Sequence, residues 1–207
     1  MLRRAISCFL NQTYRNRELV IVYDADDQAT NDYLVTLGET SIRPFKVEAS
    51  PRPSLGALRN VSIQVSRGQY VTQWDDDDWH GPTRLAEQIG ALQQSGKQGC
   101  VLSRWILYDA VTKTAFLSGN RAWEGSILAM RSAMPRYPDL SKGEDTVAIR
   151  QMISENKLVG LDRPLLYIYI YHGTNTWERS HWEQNLLRYS QILSQDDQER
   201  VRHLLLE

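Results

Sequence analysis

Residues 69–80 read QYVTQWDDDDWH. The first half is β-branched and aromatic, the pattern of a short buried strand. The second half places Asp75, Asp76, Asp77 and Asp78 in a row between Trp74 and Trp79. Adjacent carboxylates repel one another, and a solvated acidic run ordinarily sits among polar neighbours. This one is flanked by large apolar rings that could give the carboxylates a dry, fixed frame. A strand ending in clustered carboxylates points to a ligand site, because open α/β sheets bind ligands outside the carboxyl ends of their strands. In extended backbone Asp75 and Asp77 are expected to face one way, Asp76 and Asp78 the other. Two carboxylates at such a point suit a hard divalent cation, Mg²⁺ or Mn²⁺, completed by phosphate oxygens of a substrate. The EF-hand spacing, with its glycine and final glutamate, is absent.

Working outward, strands and helices alternate. Leu2, Ile6, Phe9 and Leu10 recur at helical spacing. ELVIVYD (18–24) is an apolar strand ending at Asp24, and ADDQATNDYL turns into a helix with several candidate caps. RPFKVEAS (43–50) reads as a weaker strand, and Leu58, Val61 and Val65 mark a helix ended by Gly68. Leu85, Ile89 and Leu92 lie on one face of a helix started by Pro82. GCVLSRWILYD and KTAFLS predict a strand and a hairpin around 110–113, and GSILAMR a further strand. A helix opens at SKGED, PLLYIYIYHG is strand-like, and the segments after Trp177 look mostly helical. The fold expected is α/β: βαβ crossovers with a largely parallel sheet over the first hundred residues, and a mixed sheet after them. One domain is expected, with a nucleotide-binding half at 1–100, an acceptor half at 101–175 and a helical tail at 176–207.

Composition narrows the function. In 207 residues, 24 basic side chains nearly balance 25 acidic ones, so nucleic-acid binding has no electrostatic support. Cys8 and Cys100 have no metal-site spacing, which argues for buried thiols in a reducing compartment. No apolar run has the length of a membrane span, and MLRRAISCFLNQ lacks a signal-peptide core. A cytoplasmic protein without a transmembrane segment is expected; a peripheral contact with a membrane surface stays open.

SRGQYVTQWDDDDWHGPTRL (66–85) resembles the DxD segment of family 2 glycosyltransferases of the GT-A fold. Further pieces follow in that family's order. RRAISCFLNQTYRNRELVIVYDADD (3–27) resembles its first helix and second strand, and LGALRNVSIQVSRGQY (55–70) its next helix. KGED (142–145) resembles the segment carrying the catalytic base, and IYHG (170–173) the one carrying a late metal-ligand histidine. Any one piece would be weak; together, in order, they are strong. The resemblance covers about residues 2–175 and implies a Rossmann-type nucleotide-binding sheet flanked by helices.

By that resemblance Asp24 reads the nucleotide base, with a helix cap as its other reading. Arg59 and Asn60 line the nucleotide pocket, Arg59 near the phosphates or Asp75. Asp75 and Asp76 bind the nucleotide-sugar, Asp75 at the ribose or the metal. Asp77, Asp78 and His172 hold Mn²⁺ or Mg²⁺, with His181 competing for the last place. Asp145 is the general base, although Glu144 and Asp145 are equally favourable first-turn helix acids. Trp123, Glu124 and Glu144 shape the acceptor side. The implied activity is inverting transfer of a sugar from a nucleoside-diphosphate sugar, UDP favoured, to a hydroxyl of a glycan, a lipid-linked acceptor or another molecule. A nucleotidyltransferase is the competing enzyme, weakened by the absence of a Gly-rich, Lys-containing phosphate loop. A non-catalytic nucleotide- or glycan-binding remnant is the competing non-enzyme. The family ordinarily begins with a strand in the middle of its nucleotide-binding sheet, and this sequence begins at the helix after it. The neighbours of that strand are therefore expected to lack hydrogen-bond partners and a packing face.

Overall fold

A computed structural model describes residues 1–48 and 50–206. Ala49, in the expected strand 43–50, and Glu207, at the end of the expected tail, lie outside the described residues. In chain order the elements begin with α1 (Leu2–Leu10), β1 (Leu19–Asp24), α2 (Gln28–Leu37), β2 (Ile42–Val47), α3 (Leu55–Val65) and β3 (Tyr70–Thr72). Next come β4 (Trp79–His80), α4 (Arg84–Ser95), β5 (Gly99–Leu102), β6 (Ile106–Asp109), β7 (Thr114–Leu117) and β8 (Leu128–Met130). The chain continues with α5 (Glu144–Ser154), β9 (Leu158–Leu161), β10 (Tyr167–Tyr171), the single turn α6 (Arg179–His181), β11 (Gln191–Ile192) and α7 (Gln195–Leu206). No helix among the described residues is long and apolar enough to cross a membrane.

The strands form three sheets. β1 and β2 pair in parallel. A second sheet runs β3-β8-β5-β9, and a third runs β11-β7-β6-β10-β4. The first hundred residues are thus less parallel than their alternation of strands and helices suggests. β3 finds its partner in β8, which arrives from the second half of the chain and runs antiparallel to it. GCVLSRWILYD is two strands: β5 joins the second sheet, and the chain turns at Ser103–Trp105 so that β6 joins the third. The hairpin around 110–113 is present as the β6–β7 pair.

Side-chain alternation explains the layers. Cys100 and Leu128 face one side of the second sheet, against Leu85, Ile89 and Leu92 of α4. Val101 and Ala129 face the other, against Ile149 and Met152 of α5. β10 reads YIYIY for the same reason. Tyr167, Tyr169 and Tyr171 pack with Trp105, Trp123 and Trp182, whereas Ile168 and Ile170 pack with Val201 of α7 on the opposite face. α1 closes the first sheet, burying Ile6 and Phe9 with Leu19, Tyr23 and Ile42.

Between β1 and β3 lies a cavity of about 870 Å³ lined by every residue of both strands. Leu19 N–H donates to Ser41 and Ala25 N–H to Val47, so the odd positions of β1 donate to β2 and the amides of Val20, Val22 and Asp24 point into the cavity. Gln73 N–H donates to Ile127 across the β3–β8 pair, so by the same alternation those of Tyr70 and Thr72 also point inward. The expected loss of partners beside β1 thus has a structural counterpart: two strand edges open onto one slot. Amide exchange should be faster at Val20, Val22, Asp24, Tyr70 and Thr72 than in β5, which is paired on both sides. Equal protection would show the slot to be closed in solution.

One glycine sets how closely α3 approaches the loop before α5. A Cβ on Gly56 would lie 1.9 Å from the backbone oxygen of Pro138, and Gly56 N–H already donates to Leu140 at 2.9 Å. Gly56→Ala should destabilise the fold by about 1–3 kcal/mol, the usual cost of overpacking, read by denaturant unfolding. An unchanged midpoint would contradict this contact.

Candidate active site

The acidic run is a bend, because β3 ends at Thr72 and β4 starts only at Trp79. The alternation expected of extended backbone is therefore lost. Asp76 is exposed, while Asp78 is 1% exposed. Both oxygens of Asp78 are engaged: Tyr167 O–H donates to one at 2.6 Å and Ile170 N–H to the other at 2.9 Å. Burial, then the charges of Asp77 and Asp75, push the Asp78 carboxyl well above the usual carboxylate range. Asp78 thus fastens the bend to β10 from within.

This attachment carries β10 past the run, and His172 follows directly. Its Nε2 lies 3.2 Å from Asp77 Oδ2 and its Nδ1 2.9 Å from Thr174 Oγ1. Asn175 fixes the turn, accepting from His172 N–H and donating to the Ile170 carbonyl. His181 sits elsewhere, stacked on Trp177 with ring centroids 4.1 Å apart. Burial and then Asp75 raise the Asp77 carboxyl, partly offset by His172. Among the described residues no group of three His, Cys, Asp or Glu side chains is arranged to hold a metal. Asp77 and His172 together offer one carboxylate and one imidazole beside further carboxylates. That donor set fits a divalent ion taking its remaining ligands from phosphate oxygens and water.

Arg59, on α3, joins the run to the start of α5. Its Nε donates to Glu144 at 2.8 Å and its Nη2 lies 3.4 Å from Asp75 Oδ1. Burial works against the Arg59 charge, but Asp75, Tyr137 and Glu144 outweigh it and raise its pKa. Glu144, placed on the acceptor side by the sequence reading, is 2% exposed and bound to Arg59. Asp145 is half-buried beside it. Burial pushes the Asp145 carboxyl up to about 6; Arg59 opposes this, while Glu144 and Glu124 add to it. Glu124 pairs with Arg121 and lies 3.4 Å from Thr146 Oγ1. Trp123 is 3% exposed, stacked on Trp105 at 4.7 Å with its N–H on the Gly119 carbonyl, and belongs to the core.

Asp24, Arg59, Asp75 and Asp76 all line the cavity. The cap of α2 is Asp27, which accepts from Thr30 N–H, so Asp24 is not spent on that role. Asp24 pairs instead with Arg52 at 3.0 Å. Asn60 faces away and grips Tyr137, donating to its carbonyl at 2.8 Å and accepting from its N–H at 2.9 Å. Tyr167, Asn175, His80 and Arg84 were missed as contributors to this region. Arg84 had a signal: Arg84 and Gln88 are polar residues at four-residue spacing on α4, whose marked positions Leu85, Ile89 and Leu92 are apolar.

Helix-flanked sheets, with carboxylates in the bend after the edge strand β3 and a raised carboxyl at the start of α5, define a glycosyltransferase of GT-A-like architecture once known proteins are compared. The family model described as "Glycosyl transferase family 2" matches residues 1–151, and the chain belongs to that family. It is 26% identical over 137 residues to WcaA of Escherichia coli K12, a glycosyl transferase by name, covering 65% of this chain and 43% of that one. It is also 26% identical over 119 residues to WfaP of Escherichia coli, named as a UDP-Glc:α-D-GlcNAc-diphosphoundecaprenol β-1,3-glucosyltransferase, covering 58% and 47%. The chain thus spans less than half the length of these relatives. TarS 1–349 of Staphylococcus aureus, solved with UDP-GlcNAc, superposes with a TM-score of 0.65 at 13% identity, over 97% of this chain and 60% of that one. That likeness shows the fold.

Asp78→Ala should leave the Ile170 N–H without a partner and the Tyr167 hydroxyl with only the longer contact to Asp75 Oδ2 at 3.3 Å. A buried orphan costs about 1–3 kcal/mol, so the melting temperature should fall clearly, whereas Asp76→Ala should leave it nearly unchanged. Equal effects of the two substitutions on thermal melting would contradict the division of roles.

Proposed function

We propose that this glycosyltransferase moves a sugar from a nucleoside-diphosphate sugar to an acceptor hydroxyl with inversion at the anomeric carbon. The observation that carries the proposal is Asp145: a carboxyl raised to about 6, half-buried, and linked through Arg59 and Glu144 to Asp75. A general base works best with a pKa near the working pH. In this role Asp145 takes the proton of the acceptor hydroxyl as its oxygen attacks the anomeric carbon and the bond to the diphosphate breaks.

Asp24 and Arg52 flank the end of the cavity nearest β1, where a carboxylate can accept from a ring N–H of the base. Arg59 supplies fixed positive charge toward the phosphates. Asp77 and His172 would hold Mn²⁺ or Mg²⁺, which when bound supplies charge against the leaving diphosphate. Uridine is the first choice of nucleoside, since TarS has been solved with UDP and with UDP-GlcNAc and WfaP is named for a UDP-linked donor. Asp76, exposed on the cavity wall, is a further contact for the nucleotide-sugar. Glu124, beside Thr146 and Asp145, borders the acceptor.

The test is turnover of a panel of UDP- and GDP-sugars, with hydrolysis as the minimal reaction. Asp145→Asn should lower turnover about 10²–10⁴-fold while UDP binding survives. The base must be ionised to act, so kcat/KM should rise with pH through about 6 and then level. Unchanged turnover in Asp145→Asn, or a pH profile identical to the parent's in that variant, would remove Asp145 from the role.

A further inference from the structure

Beneath the acidic run lies a buried arginine that plays no part in the chemistry above. Arg84, in the first turn of α4, is 0% exposed. Among the described residues it forms no ion pair; its guanidinium is met by neutral groups. Nη2 donates to the Gln73 carbonyl at 3.0 Å and to Thr72 Oγ1 at 3.3 Å, both just before the run. Nη1 donates to His80 Nδ1 at 2.6 Å, just after it, and Nε to Gln88 Oε1 at 3.1 Å. The rings of Trp74 and Tyr167 cover the guanidinium, with centroids 5.1 and 4.9 Å away.

His80 completes the device. It is 1% exposed, and its Nδ1 faces an Arg84 N–H, which can only donate. A neutral ring that accepts at Nδ1 must carry its proton on Nε2. That Nε2 lies 3.1 Å from the backbone oxygen of Asp75. Trp74 stacks on the ring at 3.9 Å. Arg84 therefore grips the backbone before Asp75 directly and the carbonyl of Asp75 through His80. A buried guanidinium without a carboxylate is costly, and an apolar side chain of similar volume is commonly the more stable choice. Packing alone does not explain it.

We infer that Arg84 and His80 are positioning residues: they clamp the backbone around Asp75 and so fix where Asp75 and Asp77 present their carboxylates to a divalent cation. The inference rests on the proposed metal-assisted reading for its ligand, but the clamp is measurable without any ligand. Coulomb's law and positioning predict opposite signs. Removing a positive charge beneath four carboxylates should by itself tighten cation binding. Losing the clamp should weaken it.

The experiment is calorimetric titration of Mn²⁺ alone into the full chain, together with amide exchange at residues 75–78. Arg84→Met should weaken Mn²⁺ binding about 10- to 100-fold, the range seen when a residue supporting a metal ligand is lost, and speed exchange across the run. Arg84→Lys keeps the charge but not the fork and should resemble Arg84→Met rather than the parent. Should the Arg84 variants fail to fold, His80 decides. His80→Gln places an amide N–H near the former Nε2 and should stay within about threefold of the parent, whereas His80→Asn, too short to reach Asp75, should lose binding. Cooperative melting with unchanged or tighter Mn²⁺ binding in Arg84→Met, or equal behaviour of His80→Asn and His80→Gln, overturns the inference. If the parent binds no Mn²⁺ in the absence of a nucleotide, exchange alone judges the clamp: faster in Arg84→Met and His80→Asn supports it, unchanged refutes it.

Discussion

The structure turns on one buried carboxylate. Asp78 gives both oxygens to β10, one to the Tyr167 hydroxyl and one to the Ile170 N–H. Without that attachment the acidic run would be a charged loop free to move away from β10. With it, the run is tied to the strand whose next residue after Tyr171 is His172. The pairing of Asp77 with His172 follows from the attachment of Asp78 to the same strand.

Holding this much negative charge in one bend requires compensation from below and beside. Two arginines supply it in different ways. Arg59 is a bridge, paired with Glu144 on one side and Asp75 on the other. It connects the donor-side carboxylates to the start of the helix that carries Asp145. Arg84 is a clamp, paired with no carboxylate among the described residues and held by carbonyls, amides and rings. The raised pKa values of Asp77, Asp78 and Asp145 share one leading cause, burial. The tryptophans flanking the run serve this arrangement indirectly. Trp74 covers His80 and Arg84 rather than the carboxylates themselves, and Trp79 packs with the core beneath α7.

Much of this was legible in the sequence, and the failures have physical causes. The elements follow from period: YIYIY has two faces because β10 has two neighbours, the aromatic cluster and α7. The resemblance carried Arg59, Asp75, Asp77 and His172 to one region, and the fold brings them together there. Identical side chains carry no register, so the sequence could not separate Asp78, turned inward, from Asp76, turned out. Alternation failed in the run because a bend is not a strand. Asn60 was placed at the site by the resemblance and Trp123 by its position just before GSILAMR; one grips Tyr137 and the other lies in the core. The antiparallel pairing of β3 with β8 was hidden because strand partners distant in sequence leave no local pattern. The open edges of β1 and β3 were anticipated from the family's usual first strand, and they line the same cavity as Asp24, Arg59 and Asp75. The slot and the proposed nucleotide site are therefore one space, and the state of one bears on the other.

The decisive measurement is calorimetric titration of UDP into the chain with and without Mn²⁺, repeated on Asp77→Ala and His172→Ala. The account predicts that Mn²⁺ strengthens UDP binding to the parent and that each substitution abolishes this strengthening while leaving the metal-free affinity in place. UDP binding that ignores Mn²⁺, or that responds to it equally in all three proteins, would contradict it.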